Sequence, residues 1–295
     1  MSKRTWAILA ATFVSIIYGV SFTIAKDVMP IYVKPYGFIL IRVLGATILF
    51  WMISFIGPKE KIDLKDFPRI IATAFFGVAV NMLAFFKGLS YTSPISASVI
   101  MVTTPIIVLI LSAIIMKERI LKRKIFGILL GLIGTGFLIL YGKSAGNATN
   151  ATLGNALIFV NAASYAFYLI IVKKLMDKYN AFTFVKWIYL FGLLMVIPFS
   201  WSEFQEVQWH ILPISIFWKI GFVIVFTTFF TYLFNLLSMR ELNPTTVSVF
   251  VYLQPIFATI YAMSLGKDEL TLVKLVAAIL IFSGVYLVTM KKKSL

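Results

Sequence analysis

The chain contains no cysteine and a single histidine, His210, in 295 residues. Disulfides, thiolate metal sites and cysteine nucleophiles are excluded by that count alone. No histidine stands ready to partner a serine nucleophile, and neither a phosphate-binding loop nor a metal-ligand cluster is present. The chain therefore reads as a non-enzyme with no cofactor and no metal. Charge is scarce as well, since 13% of residues are Asp, Glu, Lys or Arg against about 25% in soluble domains. Acid is scarcer still, with 11 Asp and Glu facing 27 Lys and Arg, a formal net charge of +16.

What fills the space is apolar: 61% of residues are hydrophobic and the mean hydropathy is +0.97. A bilayer core of roughly 30 Å needs about 20 apolar residues per helix. Stretches of that kind run over Thr5–Ile24, Tyr36–Ile56, Pro68–Leu89, Ile95–Met116, Lys124–Tyr141, Leu153–Leu175, Phe182–Ser200, Ile214–Ser238, Thr245–Leu265 and Thr271–Met290. The sequence thus predicts an all-α membrane protein with ten transmembrane helices. A β-barrel would need strict alternation in strands of about 10 residues, whereas IIVLILSAII at 106–115 is apolar at every position. The basic start and apolar run at 1–24 resemble a signal peptide, but no small-residue cleavage site closes the run, so a retained first helix is expected.

The positive charges cluster on one side of this arrangement. Lys3, Arg4, Lys59, Lys61, Lys65, Arg69, the group from Lys117 to Lys124, Lys173, Lys174, Lys178, Arg240 and Lys291–Lys293 share the side of the N-terminus. Lys26, Lys34, Lys143, Lys219, Lys267 and Lys274 are left for the other. The positive-inside rule makes the first side cytoplasmic, and an even number of spans returns both termini there. Topology and anionic headgroups account for the basic excess, so a lipid bilayer rather than nucleic acid is the expected partner. The expected place is the cell membrane, multi-pass, of the bacterial inner-membrane type.

Two segments repeat. SPISASVIMVTTPIIVLILSAIIMKER matches NPTTVSVFVYLQPIFATIYAMSLGKDE without a gap, pairing Pro94 with Pro244, Ser98 with Ser248, Pro105 with Pro255 and Lys117 with Lys267. The same offset, 244 − 94 = 150, also pairs Gly134 with Gly284. Weaker matches join IIYGVSFTIAK to ASYAFYLIIVK and FFKGLSYTSP to FNLLSMRELNP. Residues 1–142 and 153–290 are read as two five-helix repeats, joined by an outer linker at 143–152 and followed by a basic cytoplasmic tail at 291–295. Five spans is an odd number, so the second repeat enters the membrane from the opposite side and the halves are inverted. Inverted repeats are common in secondary transporters, whose sites lie near the midplane between them.

Ten spans in two halves, Ser/Asn-Pro opening the fourth span of each, a second proline at its middle, a Glu-Arg or Asp-Glu pair at its end and glycine-rich fifth spans together resemble the drug/metabolite transporter superfamily, and within it the EamA family. The resemblance covers essentially the whole chain. It implies alternating-access transport of a small molecule, with export of amino acids, related metabolites or toxic compounds as the family tendency. A phosphate-ester or nucleotide-sugar exchanger, and a non-transporting membrane sensor or scaffold, remain alternatives. ATP-driven transport would require a separate subunit.

Within the spans, Pro105 and Pro255 lie about eleven residues into their helices, near the midplane at roughly 1.5 Å rise per residue. Each removes a helical hydrogen bond, which leaves the carbonyls of Met101 and Val251 in need of another partner. Proline-interrupted segments at matching positions point to a central site. The expected pocket lining comprises Tyr18, Ser21 and Phe22, then Asn81, Phe85, Ser98 and Met101, with Asn161, Tyr165, Tyr168, Tyr232, Asn235, Ser248 and Tyr252 from the second half. Packing or interhelical hydrogen bonding is the competing role for each. Arg42, with Pro105 and Pro255, is a candidate for gating or a kink, or for substrate contact, and Lys87 can snorkel to the interface. All eleven carboxylates fall in loops or at helix ends, so a proton relay through a midplane acid is not expected and a facilitator or exchanger is. GILLG at 127–131 fits the GxxxG contact pattern, for packing within the chain or for dimerisation, leaving monomer or homodimer open.

Overall fold

The computed structural model describes residues 2–58, 60–91, 100–140, 150–266 and 271–290. Among them every regular element is helical. Helix α1 (Lys3–Val28) starts at Ser2, whose hydroxyl accepts the N–H of Thr5 at 3.1 Å, and α2 (Pro35–Ser54) starts on a proline. Helices α3 (Phe67–Ala74) and α4 (Val80–Tyr91) are joined by a π-helical stretch, Phe75–Ala79. They are followed by α5 (Thr104–Ile115), α6 (Lys122–Leu140), α7 (Ala151–Met176) and α8 (Ala181–Gln205). A second π-helical stretch, Val223–Phe230, joins α9 (Ile214–Phe222) to α10 (Thr231–Ser238). Last come α11 (Pro244–Val249), α12 (Gln254–Ser264) and α13 (Leu272–Thr289).

Among the described residues, seven helical segments are long and apolar enough to cross a membrane, and α5 is a shorter apolar helix. Two of the expected spans are interrupted for a local reason. Pro105 and Pro255 each occupy the first turn of a new helix, α5 and α12, where a missing N–H costs nothing. Before Pro255 the chain tightens into a 3₁₀ turn, Phe250–Leu253. The 3₁₀ geometry corrects one expectation: the Val251 carbonyl keeps a donor, the N–H of Gln254. The carbonyl of Phe250 instead takes the hydroxyl of Ser15 on α1, at 2.8 Å. Ser93, Pro94 and Ser98 lie outside the described residues, whereas Asn243 caps α11 as its sequence predicts, accepting the N–H of Thr246 at 3.0 Å.

The outer surface is that of a protein in lipid. On α1, Trp6, Leu9, Phe13 and Ile16 are exposed, and on α2, Leu44, Ile48 and Met52. Their spacing of three or four residues makes a continuous apolar stripe on each helix, which only hydrocarbon would cover without cost.

Inside, α6 packs most extensively against α13, α2 against α8, and α4 against α7. Helix α1 lies against α10 and α12, while α7 lies against α4 and α5. At the α6/α13 contact the backbones nearly touch. A Cβ on Gly127 would come within 2.7 Å of the Gly284 carbonyl oxygen, and one on Gly134 within 2.8 Å of the Ala277 carbonyl oxygen. The GILLG motif is thus occupied by packing within the chain.

The α2/α8 pair is fastened at both ends. At the face where α1 ends, Lys34 pairs with Glu206, and at the opposite face Lys178 pairs with Asp63 and Asp66. Hydrogen bonds to Asp63, then to Asp66, hold the Lys178 ammonium above the usual lysine range. Glu118 also links distant parts of the chain. It pairs with Lys124 rather than Arg119, and it accepts from Asn243 and from the hydroxyl of Thr245.

Candidate functional site

A cavity of about 130 Å³ lies between α1, α2, α4 and α7 and the π-helical stretch before α10. Helix α1 contributes Tyr18, Ser21, Ala25 and Met29, and α2 contributes Arg42. Helix α4 presents Asn81, Met82, Phe85, Phe86 and Leu89, with Met101 beside it. The other wall is formed by Asn161 and Tyr165 of α7, Val223, Thr227 and Tyr232, and Val251 and Gln254 next to the proline break. The lining is mostly apolar and aromatic with a few polar groups, the usual character of a small-molecule pocket.

Of the residues expected from the sequence, Tyr18, Ser21, Asn81, Phe85, Met101, Asn161, Tyr165, Tyr232 and Arg42 are brought together here. The Phe22 side chain and Ser98 lie outside the described residues. Tyr168 and Asn235 stand one layer back. The Tyr168 ring stacks on Tyr165, with centroids 5.8 Å apart, and fills the space over Gly77. Asn235 donates its Nδ2 to the Tyr165 hydroxyl at 3.1 Å. Tyr252 covers Gly131 of α6, and Ser248 is fully buried with its hydroxyl on the Thr245 carbonyl. Pro105 and Pro255 sit at the helix restarts, outside the lining.

Sequence reasoning passed over Met29, Met82, Phe86 and Leu89, because an apolar residue in a span gives no sign of facing a cavity rather than lipid. Thr227 and Gln254 carried a signal, being polar residues inside apolar runs.

The polar groups of the wall are oriented by helix backbones. Ser21 donates to the Ile17 carbonyl at 2.5 Å, so the 2.6 Å contact between Ser21 and Thr227 has Thr227 as its donor. The Thr228 hydroxyl donates to the Val223 carbonyl, five residues back, at 2.8 Å. A hydroxyl has one proton to give, so Thr228 meets the Arg42 Nε purely as an acceptor, at 3.1 Å. The Arg42 guanidinium also lies 5.3 Å from the centroid of the Phe86 ring. Lys87 is turned aside, its ammonium 5.3 Å from the Tyr36 ring and 4.9 Å from the Tyr91 ring.

Asn81 and Asn161 bind one another's backbone. Asn161 Nδ2 donates to the Asn81 carbonyl at 2.7 Å, and Asn81 Nδ2 returns a longer bond of 3.5 Å. The Tyr232 hydroxyl donates to the Gly77 carbonyl at 2.5 Å. That bond ties α10 to the π-helical stretch of the first half, where carbonyls are displaced from regular helical pairing. Among the described residues no group of His, Asp and Glu could hold a metal ion.

Membrane-length helices with lipid-facing apolar stripes, gathered around an internal cavity, define a multi-pass membrane protein. The chain belongs to the EamA-like transporter family, whose model matches it twice, over residues 5–140 and 152–290. It is similar to an uncharacterized transporter of Archaeoglobus fulgidus, 29% identical over 98% of this chain and 100% of the relative. It is also similar to the uncharacterized transporter YetK of Bacillus subtilis, 26% identical over 86% of this chain and 78% of that protein. A solved crystal structure shares the fold with a TM-score of 0.77 over 95% of both chains, at 15% sequence identity. The protein is accordingly a membrane transporter.

Proposed function

We propose that the chain is a secondary transporter of the cell membrane, built as two inverted five-helix repeats, that exports a small organic metabolite by alternating access through the cavity. The observation that carries this reading is the composition of the cavity wall. Tyr18, Arg42 and Asn81 of the first half and Asn161, Tyr165 and Tyr232 of the second line one space.

The internal symmetry of the packing supports two repeats. The offset of 150 carries Phe75–Ala79 onto 225–229, inside the second π-helical stretch, Val223–Phe230. It also carries Gly127 onto Ala277 and Gly134 onto Gly284, and the contacts made are Gly127 with Gly284 and Gly134 with Ala277. An exchange of halves leaves that contact unchanged, as a two-fold relation requires. The pairs α1/α12 and α7/α5 are likewise exchanged into one another. The family model's two matches fall on these same halves.

Size and charge favour a small metabolite over the phosphate-ester or nucleotide-sugar alternative. A volume of about 130 Å³ is well below the roughly 300–1,000 Å³ of drug-sized pockets, and Arg42 is the cation in its described wall. A sensor or scaffold with a fully packed centre is disfavoured by the cavity itself. Export is favoured by family resemblance. With the GxxxG face used internally, a monomer is the simpler assembly.

The test is counterflow in liposomes preloaded from a panel of amino acids, organic acids, nucleosides, vitamins and toxic cations. Accumulation of labelled solute that depends on the protein and saturates is expected for at least one class. Absence of accumulation across the panel would count decisively against transport through this cavity. Glu118→Gln should leave any pH dependence of flux in place, because Glu118 is engaged at a helix end with Lys124 and Asn243.

A further inference from the structure

Arg42 is 6% exposed and lines the cavity, and among the described residues no carboxylate lies within ion-pair distance of it. Its described contacts are one neutral hydroxyl, Thr228, and one ring face, Phe86. A guanidinium carries five N–H donors, and burying such a charge without an opposite charge costs several kcal/mol. The cavity is the side from which an opposite charge could arrive. We infer that Arg42 is the counter-charge for the substrate and that the cavity takes a small organic monoanion, one carboxylate on an apolar body of about one ring. This inference rests on the reading of the cavity as a transport site.

Three observations fix the class. First, among the described residues the wall offers one cation: Lys87 is committed to two tyrosine rings outside the lining, which suits a single negative charge better than a phosphate dianion. Second, Met82, Phe85, Phe86 and Met101 surround the space with apolar surface, and an apolar cavity of roughly 150 Å³ holds one benzene-sized ring. Third, the orientation of Asn161 is determined. Its Nδ2 must be the atom that donates to the Asn81 carbonyl, because a carbonyl can only accept. The Asn161 Oδ1 is then an acceptor with no partner among the described residues, shut off from the cavity as it stands; a donor on the substrate reaches it only once the side chain turns. A cation would be repelled by Arg42, and a neutral molecule would leave it unpaired.

The inference is tested on the full chain in lipid nanodiscs by equilibrium dialysis with labelled benzoate, competed by benzamide, benzylammonium and phenyl phosphate. Saturable benzoate binding is expected, with benzamide at least about tenfold weaker, as loss of a charge-assisted pair implies. Because that comparison uses the unaltered protein, it stands whether or not a variant folds. Arg42→Gln should abolish the preference for acid over amide, Arg42→Lys should retain part of it, and Lys87→Gln should leave it intact. Equal binding of acid and amide, preference for benzylammonium or phenyl phosphate, or no saturable benzoate binding overturns the inference. The two readings fail separately. Counterflow of a neutral or cationic solute without benzoate selectivity removes the anion site and keeps transport. Arg42-dependent benzoate binding without flux of any solute does the reverse.

Discussion

The carboxylate of Glu203, near the end of α8, accepts the backbone N–H of Tyr36 at 2.6 Å and so caps the first turn of α2; the neighbouring N–H of Gly37 points to the same oxygen at 3.2 Å. The relation is returned at the other face. Glu60, just beyond α2, accepts the N–H of Asn180 and the hydroxyl of Thr183 at the start of α8, both at 2.8 Å. Each helix thus supplies the anion that the other's N-terminus favours, and the Lys34/Glu206 and Lys178/Asp63 pairs reinforce the same two ends.

Removal of either cap should therefore loosen the α2/α8 unit. Glu203→Ala is expected to cost about 1–2 kcal/mol, read as a lowered thermal midpoint in detergent, while Glu203→Gln keeps an acceptor and loses less. Glu60→Ala should act independently, since distant sites add. An unchanged midpoint in the double variant would show that apolar packing alone holds the two helices together.

The α6/α13 contact makes a sharper prediction. A Cβ on Gly284 would lie 2.5 Å from the Gly127 carbonyl oxygen and 2.7 Å from the Gly131 nitrogen, both backbone atoms that cannot swing aside. Gly284→Ala should cost about 1–3 kcal/mol through overpacking. On the same helix as Gly127, Gly136 has nothing within 4 Å of an added Cβ, so Gly136→Ala should be neutral or mildly stabilising. Similar midpoints for the two variants would contradict the close approach.

These contacts show what was legible in the sequence. Glycines spaced by four and the Asn243-Pro244 helix start are local chemistry, and each stands where the pattern places it; Pro105 and Pro255, expected inside their helices, open new ones instead. Two features were not legible. The π-helical stretches leave no mark in a span such as VIVFTTFF, because insertion of one residue into a helix shifts register without altering composition. Nor can periodicity tell Met82 or Phe86, which face the cavity, from Leu44 or Ile48, which face lipid, since both environments accept the same side chains. Tyr168 and Tyr252 were expected at the pocket as aromatic residues deep in their spans. They sit over Gly77 and Gly131 instead, where an absent side chain makes room for a ring.

The break before Pro255 should depend on Ser15. Ser15→Ala removes the hydroxyl that the Phe250 carbonyl shares with the Ala11 carbonyl, a loss of about 0.5–1.5 kcal/mol. Pro255→Ala restores a donor at the following position and allows the helix to run on. If the break shapes the cavity, Pro255→Ala should depress counterflow more than it depresses the thermal midpoint. Parallel losses in flux and stability would instead assign the proline to packing.

Tyr232 offers the clearest separation of stability from transport, because one hydroxyl joins the two π-helical regions. It donates to the Gly77 carbonyl within the first, from a helix that continues the second, and its ring packs edge-on against Tyr189 at 5.1 Å. Tyr232→Phe keeps the ring and its packing and removes that single bond, so the stability loss should stay near about 1 kcal/mol. If the stretches flex against one another during the transport cycle, the same variant should change the initial rate of counterflow by more than its effect on solute affinity. The comparison needs rates and half-saturation concentrations from one preparation. A change confined to half-saturation would place Tyr232 at the solute, and a change in neither would reduce the Gly77 bond to a structural fastening.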